Sequence, residues 1–186
     1  RKGCHASAVV TAAGSASYVV VFLDRSDNHY PVAQVRHILI KAVADSDGSY
    51  TDKAKEIAKS RAEEILAEFN AGDKTEDSFA ELAKDYSEDT GSAENGGLYD
   101  TVYKGATVEE FDKFCFEGHK KGDTAIVYGE SSSYAGYHVM YYVGEGDLYS
   151  NLLAKNDLVN TTVSQWVEDQ VNALTVTNGW WLRIAG

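Results

Sequence analysis

The order of apolar patterns predicts an α+β domain: a four-stranded, mainly antiparallel sheet packed by helices, with flanking segments at both ends and a helical C-terminal part. Three observations lead there. Residues 34–41 (QVRHILIK) and 137–143 (YHVMYYV) alternate with the period of two that marks strands. Between them, apolar residues recur at helical spacing over about 54–69, 79–86 and 108–116. The order is therefore a strand, three helices with a short extended piece before the third, and two closing strands.

Taken in order, residues 1–17 are small and weakly patterned, and Tyr18–Leu23 is a β-branched and aromatic run that reads as a strand. Asp24–Pro31 is polar and ends at the only proline, a turn or linker. In the next strand Val35, His37 and Leu39 point one way and Arg36, Ile38 and Ile40 the other. Thr51 is suited to cap a long helix carrying Ala54, Ile57, Ala58, Ala62, Ile65, Leu66 and Phe69, with Gly72 as its stop. A second helix runs from about Ser78 to Tyr86, followed by a glycine-rich turn at 91–97 and a short strand at Leu98–Val102. Thr107-Val-Glu-Glu110 has the form of a capping box, opening a helix with Val108, Phe111, Cys115 and Phe116 inward. Thr124–Tyr128 and Tyr137–Val143 are the last strands, with His138, Met140 and Tyr142 on one face. Beyond Gly146, apolar residues from Leu152 to Leu174 suggest one broken helix or two. The C-terminal TVTNGWWLRIA reads as a hairpin or strand that can pair with Tyr18–Leu23. These patterns divide the chain into a flank at 1–32, a domain at 33–145 and a C-terminal segment at 146–186.

Composition removes several classes of function. With 186 residues, 44% hydrophobic and 25% charged, the chain is globular in character. A formal charge of −12 argues against nucleic acid as a partner, because phosphate binding needs clustered Lys and Arg. No apolar run approaches the roughly 18 residues of a membrane span. Cys4 and Cys115 form no disulfide framework and no zinc spacing. The chain begins at Arg1, as expected of a processed or truncated piece of a longer protein. The acidic loop from Asp45 has Tyr50 where a calcium loop needs glycine, so it reads as a solvated loop.

Three ionisable side chains stand where a sheet and its loops can collect them: His37 on the first strand of the domain, Asp89 after the second helix, and His138 on the last strand. Around them lie VRHILI (35–40), FAELAKDYSEDTGSAENGG (79–97), GATVEEFDKFCF (105–116) and GYHVMYYVG (136–144). In this order and spacing these segments resemble the successive motifs of the parvulin peptidyl-prolyl cis/trans isomerases (rotamases), over about 110 residues. The resemblance implies His37, Asp89 and His138 as candidate catalytic residues. It also implies a substrate pocket drawing on Leu98, Thr107, Val108, Phe111 and Ser133, with Phe111 at the position of the aromatic wall. Two departures stand out. Thr107 occupies a position where the family usually has methionine, and Tyr99-Asp100 follows Gly97-Leu98 where a glycine is common.

What the resemblance implies for function is isomerisation of X–Pro bonds without cofactor or metal, on unfolded or partly folded proline-containing chains. Residues 42–51 contain no Lys or Arg and two aspartates, so selection for phosphorylated Ser/Thr-Pro is not expected. Within the family the chain resembles the bacterial extracytoplasmic foldases, which are secreted or membrane-anchored. Two other readings use the same residues: a peptide-holding chaperone with little catalysis, and a metal hydrolase on His37, His138 and Asp89. The latter has no HExxH or related spacing in its favour.

Overall fold

The computed structural model describes residues 27–174 in full and, for two N-terminal strands, the backbone of 6–11 and 17–21. Strands β1 (Ala6–Thr11) and β2 (Ser17–Val21) form an antiparallel pair. The small-residue stretch before Tyr18 thus contains a strand that its pattern did not announce. The expected terminal hairpin at 175–186, and with it the pairing to Tyr18–Leu23, lies outside the described residues.

The domain is built on β3 (Pro31–Lys41), β4 (Leu98–Val102), β5 (Thr124–Glu130) and β6 (Ala135–Leu148), all antiparallel in the order β4-β3-β6-β5. Helices α1 (Asp52–Ala71) and α2 (Glu76–Tyr86) follow β3, and α3 (Glu109–Phe116) follows β4. The α+β architecture is as the patterns predict. Period two assigns β3 and β6 a face for each helical layer. Ile38, Ile40, Val139 and Tyr141 pack against Ala58, Ala62, Ile65, Phe69 and Phe79 of α1 and α2. Val35, Met140 and Tyr142 pack against Phe111, Phe114 and Cys115 of α3. Burying a side chain such as Phe79 or Ile65 contributes about 1.5–3 kcal/mol, so these two layers hold the sheet between them.

Local signals fix the helix ends. Thr51 caps α1 by accepting from the Ala54 amide, and the Gly72 amide closes it on Glu68 and Phe69 carbonyls. Thr75 and Ser78 form a reciprocal capping box, which starts α2 two residues before the expected Ser78. Thr107 does not cap α3: the N-cap is Val108 and no side chain serves it. The preceding loop is held instead by Gly105 N–H donating to Asp112 Oδ1 at 2.8 Å and Lys104 N–H donating to the Tyr30 hydroxyl at 3.2 Å. Held by these bonds, the loop leaves Val108 as the N-cap residue and Thr107 ahead of the helix. Ile57 is exposed rather than part of the α1 core face. The C-terminal part is a single helix, α4 (Tyr149–Ala173), not two. Its start is pinned by Tyr149 stacked on Tyr103 with ring centroids 4.8 Å apart, while Leu158, Val163 and Trp166 are exposed among the described residues.

Beyond β4, the edge of β3 is continued by the loop from α2. Leu39 N–H donates to Ser87 Oγ, Glu88 N–H donates to the Leu39 carbonyl, and His37 N–H donates to the Gly97 carbonyl at 2.9 Å. On the opposite face Arg36 braces the loop, donating to Glu76 and to the Asn95 and Gly96 carbonyls. Gly97 is indispensable to this lacing. Its φ is +69°, and a Cβ there would lie 2.1 Å from the His37 carbonyl oxygen. Gly105 has a comparable φ of +81° with open space around it. In denaturant titrations, Gly97→Ala is expected to lose more than about 3 kcal/mol, and Gly105→Ala only the backbone cost of about 1–2 kcal/mol.

Candidate functional site

On β3 and β6 the facing pairs are His37 with Met140 and Leu39 with His138. The two histidines are therefore diagonal neighbours on the face that carries α3. Their Nδ1 atoms are 3.0 Å apart, and both side chains are buried. The laced loop brings Asp89 to the other side of His37, with Oδ2 3.0 Å from His37 Nε2. The three candidates named by the sequence thus meet in one cluster.

Asp89 Oδ2 also accepts from Ser92 Oγ at 2.6 Å and from the Tyr99 hydroxyl at 3.0 Å, while Oδ1 accepts from the Gly91 amide. At the far end, the Tyr134 hydroxyl lies 3.0 Å from His138 Nε2. An ionised carboxylate can only accept. With both rings neutral, one arrangement satisfies every group: His37 Nε2–H donates to Asp89, His138 Nδ1–H donates to His37 Nδ1, and Tyr134 O–H donates to His138 Nε2. The tautomers follow from the carboxylate, as hydrogen positions do from partners generally.

The electrostatics agree with that assignment. The hydrogen bond from His37, joined by those from Ser92 and Tyr99, holds the Asp89 carboxyl well below the usual carboxylate range. Burial, reinforced by the neighbouring His37, lowers His138 to about 3, so its ring stays neutral. Burial and then the bond to Asp89 push Tyr99 up to about 12. Burial also raises Tyr134.

These groups floor a cavity of about 340 Å³. Phe111 forms an apolar wall, edge-on to both rings at 5.4 Å from His37 and 5.3 Å from His138. Leu39, Ala106 and Val108 complete the apolar lining, and Tyr99 and Tyr134 stand beside it. The cavity is of a size for a small ring and offers apolar walls over a hydrogen-bonded floor.

Of the pocket residues expected from sequence, Thr107, Val108 and Phe111 line this cavity. Leu98 does not: Arg36 faces Leu98 and Val35 faces Tyr99 in the ladder, so strand alternation turns Tyr99 toward the cavity and Leu98 away. Ser133 is exposed and pairs with Ser131 Oγ at 3.1 Å. The residues that sequence reasoning did not assign to the site are Leu39, Ser92, Tyr99, Ala106 and Tyr134. Period two already put Leu39 beside His37, whereas only the turn geometry reveals Tyr134. Thr107 Oγ1 is buried without a hydrogen-bond partner, an arrangement that costs about 1–3 kcal/mol. Cys115 lies behind the wall, its thiol pushed up to about 12 by burial and so unreactive. Among the described residues no group of His, Cys, Asp and Glu side chains is arranged to hold a metal ion.

The family model described as the PPIC-type PPIase domain matches residues 19–143. The chain belongs to this family of peptidyl-prolyl isomerase domains. It is 29% identical over 159 residues to a Bacillus anthracis protein named Foldase protein PrsA 3, covering 81% of this chain and 48% of the relative. It is 36% identical over 139 residues to Foldase protein PrsA of Staphylococcus aureus (strain Newman), covering 75% of this chain and 40% of the relative. A crystal structure of peptidylprolyl isomerase (PrsA) from Bacillus anthracis superposes with a TM-score of 0.47 at 24% identity, covering 82% of this chain and 64% of that one. The chain spans about half or less of the length of these curated relatives.

The two shifted groups make stability depend on pH in one direction. Asp89 contributes fully above the unfolded carboxylate pKa of about 3.9, and its contribution is lost as pH falls through its depressed folded value. His138 remains neutral when folded but takes a proton when unfolded below about 6.5, so its contribution is complete above that pH and is lost toward about 3. Unfolding free energy measured by denaturant is expected to fall as pH drops from 7 to 4. His138→Asn should flatten that slope.

Proposed function

We propose that this chain is a peptidyl-prolyl cis/trans isomerase that assists folding outside the cytoplasm by stabilising the twisted X–Pro amide without covalent chemistry. The observation that carries the reading is the Phe111-walled cavity set on the closed Asp89–His37–His138–Tyr134 chain.

Rotation about a peptide bond meets a barrier of about 18–20 kcal/mol because resonance makes the C–N bond partly double. Each reduction of about 1.4 kcal/mol speeds the rotation tenfold. Nothing need be transferred, so the protein's task is to bind the twisted amide better than either planar form. A pyrrolidine ring against Phe111, Val108 and Leu39 leaves water, and the twisted amide, being less charge-separated, tolerates a dry site better than the planar one does.

Both histidine hydrogens are committed within the chain, so neither ring has a donor left for substrate when both are neutral. Their contribution is to hold the cavity floor in one shape. Asp89 holds a negative charge at the cavity floor, which disfavours the build-up of negative charge on a nearby planar amide oxygen. His37, Asp89 and His138 therefore act on the substrate through shape and field. Ser133, exposed beside Tyr134 in the β5–β6 turn, fits a longer peptide running past the cavity better than the proline ring itself, whereas Leu98 lies on the Arg36 side of the sheet and serves the fold.

The substrates are unfolded or partly folded proline-containing chains. The loop at 42–51, exposed at Asp45 and Asp47, carries no basic residue, which opposes a phosphate there. The foldase names of the relatives support a role in assisting folding, and the resemblance to extracytoplasmic foldases supports placing that role on a secreted or surface-anchored protein. Among the described residues no helix is long and apolar enough to cross a membrane. In this reading residues 33–145 are the isomerase domain, and the flanks at 1–32 and 146–186 belong to a part that holds client chains.

Exchange NMR on unphosphorylated X–Pro peptides tests the activity. Wild-type protein is expected to accelerate cis/trans exchange, and Asp89→Ala and Phe111→Ala, checked for folding, to lose most of that acceleration. Peptide resonances that shift with no change in exchange rate would identify a holder of chains instead.

A further inference from the structure

We propose that Tyr134 is the positioning residue of this site: it holds His138, and through it His37, in register with Asp89, while its ring walls the substrate cavity. The proposal rests on the isomerase reading for its kinetic consequence, though not for its structural content.

Tyr134 is delivered by the β5–β6 turn, which closes through Ser131 N–H donating to the Tyr134 carbonyl at 2.8 Å. From there the phenol reaches back to His138 Nε2 at 3.0 Å, with its ring edge-on to the imidazole at 5.7 Å and 77°. The other nitrogen of His138 faces His37. Among the described residues Tyr134 is thus the one partner of Nε2, and the terminal donor of the whole chain. Burial keeps its proton in place by raising its pKa, so it donates across the working pH range.

A second observation comes from the neighbouring strand. Gly129 of β5 is buried, and a Cβ built on it would lie 2.7 Å from His138 Nε2 and 3.1 Å from the Tyr134 oxygen. The strand is bare at the one point where a side chain would wedge the two apart. Backbone conformation does not account for this glycine, since its φ lies outside the left-handed region. The room it leaves is the room the Tyr134–His138 bond occupies.

The two jobs of Tyr134 separate in kinetics. Tyr134→Phe keeps the wall and removes the donor, leaving a buried imidazole nitrogen with no partner. Loss of position at the floor of an oriented site costs turnover rather than affinity. Tyr134→Leu removes both wall and donor.

The test combines exchange kinetics on an X–Pro peptide with long-range ¹H–¹⁵N spectra of His138 in folded wild-type, Tyr134→Phe and Gly129→Ala proteins. Tyr134→Phe is expected to move the His138 Nε2 resonance toward that of an unbonded imidazole nitrogen. It should also lower kcat about tenfold with KM changed less than twofold. Gly129→Ala should shift both readouts the same way, and Tyr134→Leu should raise KM as well. An unmoved Nε2 resonance in Tyr134→Phe would overturn the proposal, as would an unchanged kcat or an effect on KM alone. Should wild-type protein accelerate no exchange, the isomerase reading fails, and the Nε2 resonance alone decides whether Tyr134 positions His138.

Discussion

Asp89 Oδ2 accepts from His37, Ser92 and Tyr99 at once, and because a carboxylate has no hydrogen to give, it dictates the direction of the bonds around it. One charge, held ionised by its donors, selects a tautomer for His37 and then for His138, and finally the role of the Tyr134 hydroxyl. Burial makes the selection strict, since an unpaired polar atom on this floor has no water to turn to. The remaining architecture serves to bring that carboxylate to β3. The α2 loop is laced to the strand edge at Leu39 and His37, Arg36 clamps it from behind, and Gly97 lets the backbones touch.

The two faces of the sheet divide the work. One face, with Ile38 and Ile40 against α1 and α2, is an ordinary apolar core. The other continues from such a core at Val35, Met140 and Phe114 into polar side chains at His37 and His138. Phe111 belongs to both, packed in the core on one side and walling the cavity on the other. Stability and site geometry are therefore coupled: the ring that would contact a proline also fixes the two imidazoles edge-on.

Much of this was legible in the sequence where the signal is local. Alternation grouped His37 with Val35 and Leu39 on β3 and His138 with Met140 and Tyr142 on β6, leaving their common face to the register between the strands, and the caps at Thr51 and Gly72 bounded α1 to the residue. What was not legible depends on geometry between segments. Whether Leu98 or Tyr99 faces the cavity is a question of register, and an irregularity between Ala33 and Val35 decides it. Thr107 has the spacing of a cap, but Val108 takes the N-cap position and the Thr107 hydroxyl is buried and unpaired instead. Tyr134 carries no motif, because its reach to His138 comes from the shape of a turn. The β1 strand lies among small residues with no alternation to reveal it.

The claim on which the rest stands is that the carboxylate orders the chain, and the tautomers of the two histidines in the wild-type protein test it most directly. Long-range ¹H–¹⁵N correlation at neutral to mildly alkaline pH distinguishes a protonated ring nitrogen from a bare one in each imidazole. The account predicts hydrogen on Nε2 of His37 and on Nδ1 of His138, with His37 Nδ1 and His138 Nε2 bare. Hydrogen on His138 Nε2, with Nδ1 of that ring bare, would mean the chain runs the other way, and the role assigned to Asp89 would be wrong.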